Sequence, residues 1–212
     1  MRCLPHWGLR YFIDKFSFLL YQKMHPGYPW LTQPANRLLL SSLKDYFVGL
    51  EFGSGRSTLW FAQRVLALTS VEHDPVWYER VSSELKKNKI NNVTYLLFPK
   101  DLGEDQGKGT DYVNLSQRFA KDSLDFVLVD GVYRSACANA VLEKIKPAGL
   151  LIIDNANWYL PSTSISPTSR KPFEGPISQE WGEFLASVRD WKCIWTSNGV
   201  TDTAIYIKPS LK

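Results

Sequence analysis

Four acidic positions, each at or next to the end of a short apolar run, carry most of the chemistry legible in this chain. The first lies in Gly49-Leu50-Glu51-Phe52-Gly53-Ser54-Gly55-Arg56-Ser57-Thr58, where an apolar lead-in reaches Glu51 and two glycines follow one residue apart. A hydroxyl pair then opens the helical pattern Leu59-Trp60-Phe61-Ala62. This is the signature of a strand, a tight turn and a helix N-terminus. Glycines lacking Cβ let a ligand approach the backbone, and the free N–H groups of a first helical turn suit ligand acceptor atoms. The turn departs from the nucleotide fingerprint G-x-G-x-x-G because Thr58 stands at the third glycine position. No Gly-Lys-Ser/Thr follows to make a phosphate loop.

The second acid ends Thr69-Ser70-Val71-Glu72, about 20 residues beyond the glycine turn, the spacing at which a carboxylate accepts hydrogen bonds from ribose hydroxyls. Asp74-Pro75 follows and suits a helix N-cap and first helical residue, with Asp74 the alternative ribose acid. His73 beside them reads as a cap or surface group. The third and fourth acids end buried-strand patterns, Leu124 to Asp130-Gly131 and Gly149 to Asp154-Asn155. Neighbouring parallel strands would bring Asp130, Asp154 and Asn155 to one rim. Two carboxylates and a carboxamide are hard oxygen ligands for Mg²⁺ or Ca²⁺, and like charges held close need a compensating cation.

The elements that must position these groups follow from periodicity. Residues 9–24 have helical spacing, Pro26, Pro29 and Pro34 punctuate the chain, and Ala35 to Tyr46 reads as a second helix. Together residues 1–46 form a helical N-terminal cap on one domain spanning 1–212. From Phe47 short apolar strands alternate with amphipathic helices, which predicts βαβ units on a parallel sheet, with ligands at the carboxyl ends of the strands. Glu180 to Trp191 reads as a helix, and Lys192–Thr196 and Thr203–Lys208 as strands joined through Asn198-Gly199, an antiparallel hairpin at the sheet edge. The fold class is therefore α/β, a Rossmann-like, mostly parallel sheet with helices on both faces and a C-terminal antiparallel hairpin. Pro161 to Pro176 reads as a long loop or a lid.

Composition narrows the functional classes. The chain has 212 residues, 44% hydrophobic and 22% charged, with a net charge of +4. The charges are dispersed, a weak signal for nucleic acid. Three cysteines and three histidines at wide spacing give neither a disulfide framework nor a zinc cluster. No apolar run is long enough to span a bilayer, and Pro5 and His6 interrupt the N-terminus before any signal-like run, so a cytoplasmic protein is expected.

The acid before G-x-G, with the antiparallel end of the sheet, resembles the class I S-adenosylmethionine-dependent methyltransferases. Asp130-Gly131 and Asp154-Asn155 resemble the catechol-type, metal-dependent O-methyltransferases, in which an aspartate ending the fourth strand and an Asp-Asn ending the fifth hold Mg²⁺. The resemblance covers residues 47–156. It implies S-adenosylmethionine as cofactor, with Glu51, Gly53, Ser54 and Gly55 holding it at the turn and Glu72 on its ribose. Asp101, after the third strand, would contact adenine or be ordinary loop. Asp130, Asp154 and Asn155 would hold Mg²⁺; in metal-free relatives the residue at Asp130 binds the methionine amino group or positions substrate.

This sequence departs from the metal-dependent pattern after Asp130. A lysine that serves as base there is replaced by Gly131-Val132-Tyr133-Arg134. Arg134 stays protonated and suits a substrate carboxylate or phosphate; Tyr133 is a hydrogen-bonding or proton-transfer candidate. His25 is a catalytic candidate from the cap, against a structural role. Trp158 and Tyr159 suit a pocket wall or the core. The implied partner is a small-molecule methyl acceptor with a hydroxyl; the sequence leaves the oligomeric state open. The alternatives are a protein or sugar N- or O-methyltransferase, a nicotinamide-dependent oxidoreductase, and a non-catalytic binding protein on the same fold.

Overall fold

The computed structural model describes residues 8–100 and 102–210. Two helices come first, α1 (Leu9–Met24) and α2 (Gln33–Ser42). The alternating segment runs β1 (Val48–Phe52), α3 (Arg56–Ala62), β2 (Ala67–Glu72), α4 (Pro75–Lys87), β3 (Val93–Leu97), α5 (Asp111–Asn114), β4 (Leu124–Val129), α6 (Arg134–Ala140) and β5 (Ile145–Asp154). The chain closes with α7 (Ala156–Tyr159), α8 (Gln179–Ser187), β6 (Lys192–Ser197) and β7 (Asp202–Ile207). The seven strands lie in the order β3-β2-β1-β4-β5-β7-β6. The first five are mutually parallel; β7 inserts antiparallel between β5 and the edge strand β6. The strand order reverses between β1 and β4, the place where such sheets bind ligands.

Strand parity divides the core in two. Leu50, Phe52, Val127, Val129, Leu151 and Ile153 face one side, under α5, α6, α7 and α8. Leu68, Phe126, Leu128, Leu150, Ile152 and Ile205 face the other, against α2 and α3. Helices on both faces of a sheet whose central strands are nearly all apolar is the arrangement expected of a parallel α/β sheet.

Several boundaries differ from the sequence reading, each for a local reason. Helix α2 starts earlier because Thr32 caps it, accepting from the Ala35 N–H, while Pro34 sits in the first turn, where its missing donor costs nothing. Strand β5 starts at Ile145 rather than Leu150, and Lys146 there bonds Asp125 at 2.8 Å. Where the alternation of strands and helices predicts a helix between β3 and β4, the chain forms only the short α5 followed by a 3₁₀ turn at Leu115–Arg118. The Pro161–Pro176 loop is anchored: Ser166 is fully buried with its hydroxyl on Asp202, and Arg170 N–H bonds Asn157 O. It packs beside β6 and β7. Among the described residues no helix is long and apolar enough to cross a membrane.

Candidate functional site

The glycine turn is built by close backbone approach. Gly53 has φ +91°, and a Cβ there would lie 2.5 Å from the Gly131 backbone. The turn is therefore pressed onto the end of β4, and only glycine fits on either side. Thr58 explains the missing third glycine. Its hydroxyl accepts from the Gly55 N–H at 2.9 Å and donates to Glu51 Oε2 at 2.6 Å, closing the turn with a side chain.

Glu51 lies beneath the turn, not on its ligand side. It is fully buried, and Ser70 donates to the same oxygen at 2.6 Å. Burial raises its pKa to about 7, against the bonds from Ser57, Ser70 and Thr58. Its Oε1 has no hydrogen-bond partner.

Glu72 ends β2 facing the turn. Its Oε2 accepts from Ser54 N–H at 3.1 Å and Ser54 Oγ at 2.6 Å; its Oε1 accepts from the N–H groups of His73 and Asp74 at 2.8 and 3.0 Å. Burial pushes its pKa up, but the bonds from His73, Asp74 and Ser54 outweigh it and hold the carboxyl at about 2. Asp74, the alternative ribose acid, caps α4, its Oδ1 accepting from the Trp77 N–H at 2.8 Å. Tyr95, stacked on Tyr78 with ring centroids 4.5 Å apart, reaches Ser54 Oγ at 2.6 Å. Trp77 is pinned over the turn, its indole donating to Ser54 O at 2.8 Å.

The opposite half of the rim is organised by Arg134. Its Nε donates to Gly131 O, Nη1 to Asp154 O and Asn155 Oδ1, and Nη2 to Asp130 O and Asp130 Oδ1, at 2.7–3.1 Å. All five guanidinium donors are used. Asp154 receives Thr203 Oγ1 at 2.9 Å, and Asn155 donates to Thr201. Burial, then the charge of Asp130, pushes the Asp154 carboxyl well up. Asp130 is also raised by burial, with Arg134 opposing, and its side chain keeps 31% exposure. This arrangement corrects the Mg²⁺ expectation. Asp130 and Asn155 turn oxygens to the guanidinium, which already supplies the compensating charge, and a divalent ion beside it would meet like charge. The residues present do not fit the metal.

A cleft of about 600 Å³ opens over the turn, walled by Trp30, Gly55, Arg56, Trp77 and Arg80 and touching Asp130. Of the four residues singled out for catalysis, only Asp130 lines it. Tyr133 is buried, with its hydroxyl on the backbone of Leu102 at 3.1 Å, so it anchors the loop after β3. Arg134 is committed as described and has no donor left for substrate. His25 stacks on Tyr21 at 4.4 Å, and its Nδ1 bonds Tyr21 O, which makes it part of the α1 terminus. Asp101 lies outside the described residues. Tyr159 stacks on Trp181 in the core, and Trp158 is 43% exposed away from the cleft. Sequence reading missed Trp30, Arg56, Trp77 and Arg80. The pair Trp77 and Arg80, three apart on α4, was legible as one helix face.

No family model matches the chain, and no curated protein matches it. Solved structures do. A methyltransferase from Geobacter sulfurreducens is 14% identical with a TM-score of 0.56, the match covering 93% of this chain and 89% of that one. A putative methyltransferase from Streptococcus mutans in complex with SAH is 10% identical with a TM-score of 0.56, covering 83% and 96%. A methyltransferase-like protein from Silicibacter pomeroyi is 21% identical with a TM-score of 0.54, covering 87% and 91%. At these identities the likeness is one of architecture. The chain has the fold of the class I S-adenosylmethionine-dependent methyltransferases.

Proposed function

We propose that this chain is an S-adenosylmethionine-dependent methyltransferase acting on a hydroxyl of a small molecule. The observation that carries the reading is a glycine turn that bonds the ionised strand-end carboxylate of Glu72 through Ser54 and opens, at Gly55, on a cleft also lined by Asp130. Glu72 has one acceptor position to offer a ribose hydroxyl, once the Ser54 hydroxyl that now occupies Oε2 gives way to it. The glycine turn would receive the methionine end of the cofactor.

When bound, the cofactor supplies a sulfonium-activated methyl group, released to an attacking oxygen as the carbon–sulfur bond breaks. The protein's task is then alignment and exclusion of water. Trp30 and Trp77 wall the cleft, and its volume suits a small acceptor. Asp130 is placed to take the acceptor's proton, its raised pKa bringing it closer to neutral, where a general base works best. The test is calorimetry with S-adenosylhomocysteine and with nicotinamide dinucleotides, followed by turnover of candidate hydroxyl acceptors. Binding of S-adenosylhomocysteine is expected; binding of the nicotinamide cofactors alone would overturn the reading.

A further inference from the structure

Because Arg134 is spent on β4 and β5, charge recognition of a substrate falls to other groups. Two arginines stand in the cleft itself. The Arg56 guanidinium lies over the Trp30 ring at 5.1 Å, and that of Arg80 over Trp77 at 4.9 Å. Both line the same cavity as Gly55 and Asp130. Neither makes a hydrogen bond or ion pair to another described residue. Stacking on an indole fixes the guanidinium plane while leaving its edge donors free. The fork of each guanidinium matches the oxygens of a carboxylate or phosphate.

The surrounding charges leave that field uncancelled. Glu84 lines the cleft beyond Arg80, but Lys87 stands 3.8 Å from it. Asp130 is paired with Arg134 at 2.9 Å. The two arginines are thus the cleft's surplus positive charge. Trp77 is itself fixed by its bond to Ser54 O, so Arg80 is tied in position to the glycine turn.

We infer that the methyl acceptor carries an anionic group, a carboxylate or a phosphate, and that Arg56 and Arg80 bind it within this cleft. The inference rests on the methyltransferase reading for the word acceptor; the anion site itself does not. The two arginines are specificity-determining residues, and the reacting hydroxyl lies on the Asp130 side of the anion.

The experiment titrates 4-hydroxybenzoate, phenyl phosphate and the neutral 4-hydroxybenzamide into wild type, Arg56→Gln, Arg80→Gln and the double variant. Intrinsic tryptophan fluorescence, to which Trp30 and Trp77 in the cleft contribute, reports binding, with and without saturating S-adenosylhomocysteine. At least one anion should bind wild type about tenfold or more tighter than the amide, the scale of a charge-assisted bidentate contact. Added salt should weaken that preference, and the double variant should lose it while keeping S-adenosylhomocysteine affinity within about twofold. The ratio between the two anions identifies the preferred group. Equal binding of anions and amide, or a preference that survives in the double variant, overturns the proposal. So does a tenfold loss of S-adenosylhomocysteine affinity in either single variant, which would assign that arginine to the cofactor's own carboxylate. If wild type binds no S-adenosylhomocysteine yet shows an anion preference abolished by the double variant, the methyltransferase reading fails and the anion site stands.

Discussion

The two halves of the sheet's carboxyl rim solve one electrostatic problem in opposite ways. At β1 and β2, Glu51 Oε2 and Glu72 take their hydrogen bonds from hydroxyls and backbone N–H groups. At β4 and β5, Asp130, the Asp154 carbonyl and Asn155 converge on one guanidinium that spends every donor on them. A serine hydroxyl on a carboxylate exchanges readily for a ligand hydroxyl, since one neutral donor replaces another. A buried guanidinium with five bonds does not exchange without leaving Asp130 uncompensated and buried carbonyls without a donor. The first half is accordingly suited to receive a cofactor, and the second is an internal brace with Asp130 at its exposed edge.

The sharpest way to break that contrast is to remove the brace. Arg134→Met should destabilise the fold by about 3–5 kcal/mol, because Asp130 loses its cation and the carbonyls of Asp130, Gly131 and Asp154 lose their donors. For a chain of this size that is a fall in Tm of about 6–20 °C. In the variant, millimolar Mg²⁺ should recover part of the loss, since the oxygens of Asp130 and Asn155 are then vacant. Thermal denaturation measures both effects. A wild type equally stabilised by Mg²⁺ would show that the guanidinium does not stand in the cation's role.

Glu51 tests the other half through pH. Its pKa is raised from 4.5 to about 7, so folding favours the protonated form. Its contribution is fully present below pH 4.5 and is lost as pH rises through 7. Glu51→Gln removes that titration. The stability of the variant relative to wild type should therefore climb between pH 4.5 and 7 and level off above, by a total on the order of 3 kcal/mol. Urea denaturation across that range gives the curve; a flat difference would mean that Glu51 is already ionised in the fold.

Glu72→Gln addresses exchange directly. One acceptor oxygen is lost and the remaining one is neutral, so S-adenosylhomocysteine affinity should fall about ten- to a hundredfold. Calorimetry on protein with unchanged near-UV dichroism reads this out, and wild-type affinity would remove Glu72 from the cofactor.

Much of this contrast was legible, and its gaps have physical causes. The four acids were found because each closes or adjoins the end of an apolar strand, and the sheet followed from alternation of strands and helices. The direction of Glu51 was legible too. Leu50 and Phe52 share one core face, so strand parity sends Glu51 to the other side, under α3. The role of Arg134 was not, because it depends on the β4–β5 register and on Tyr133 and Asn155 both turning at positive φ, 51° and 50°. Nor was the Trp30–Arg56 stack, which joins the α1–α2 connection to α3 across a distance no periodicity reports. The Mg²⁺ expectation failed for the same reason: acid spacing predicts the oxygens but not the cation folded among them.

The smallest expected effect concerns Thr58, where the turn departs from the nucleotide fingerprint. Thr58→Gly completes G-x-G-x-x-G in sequence while deleting the hydroxyl that bridges Gly55 N–H and Glu51. If the third glycine were simply missing, the substitution would be neutral or would admit a nicotinamide dinucleotide. Because the threonine closes the turn, it should instead cost about 1–2 kcal/mol from the lost bonds and the added chain entropy in α3. S-adenosylhomocysteine binding should weaken modestly, with no gain of nicotinamide binding. Thr58→Ser keeps the hydroxyl and should stay within about 1 kcal/mol of wild type. A glycine variant as stable as the serine one would mean that the turn is held by backbone approach at Gly53 and Gly131 alone, and the side-chain closure would then be incidental to the cofactor half of the rim.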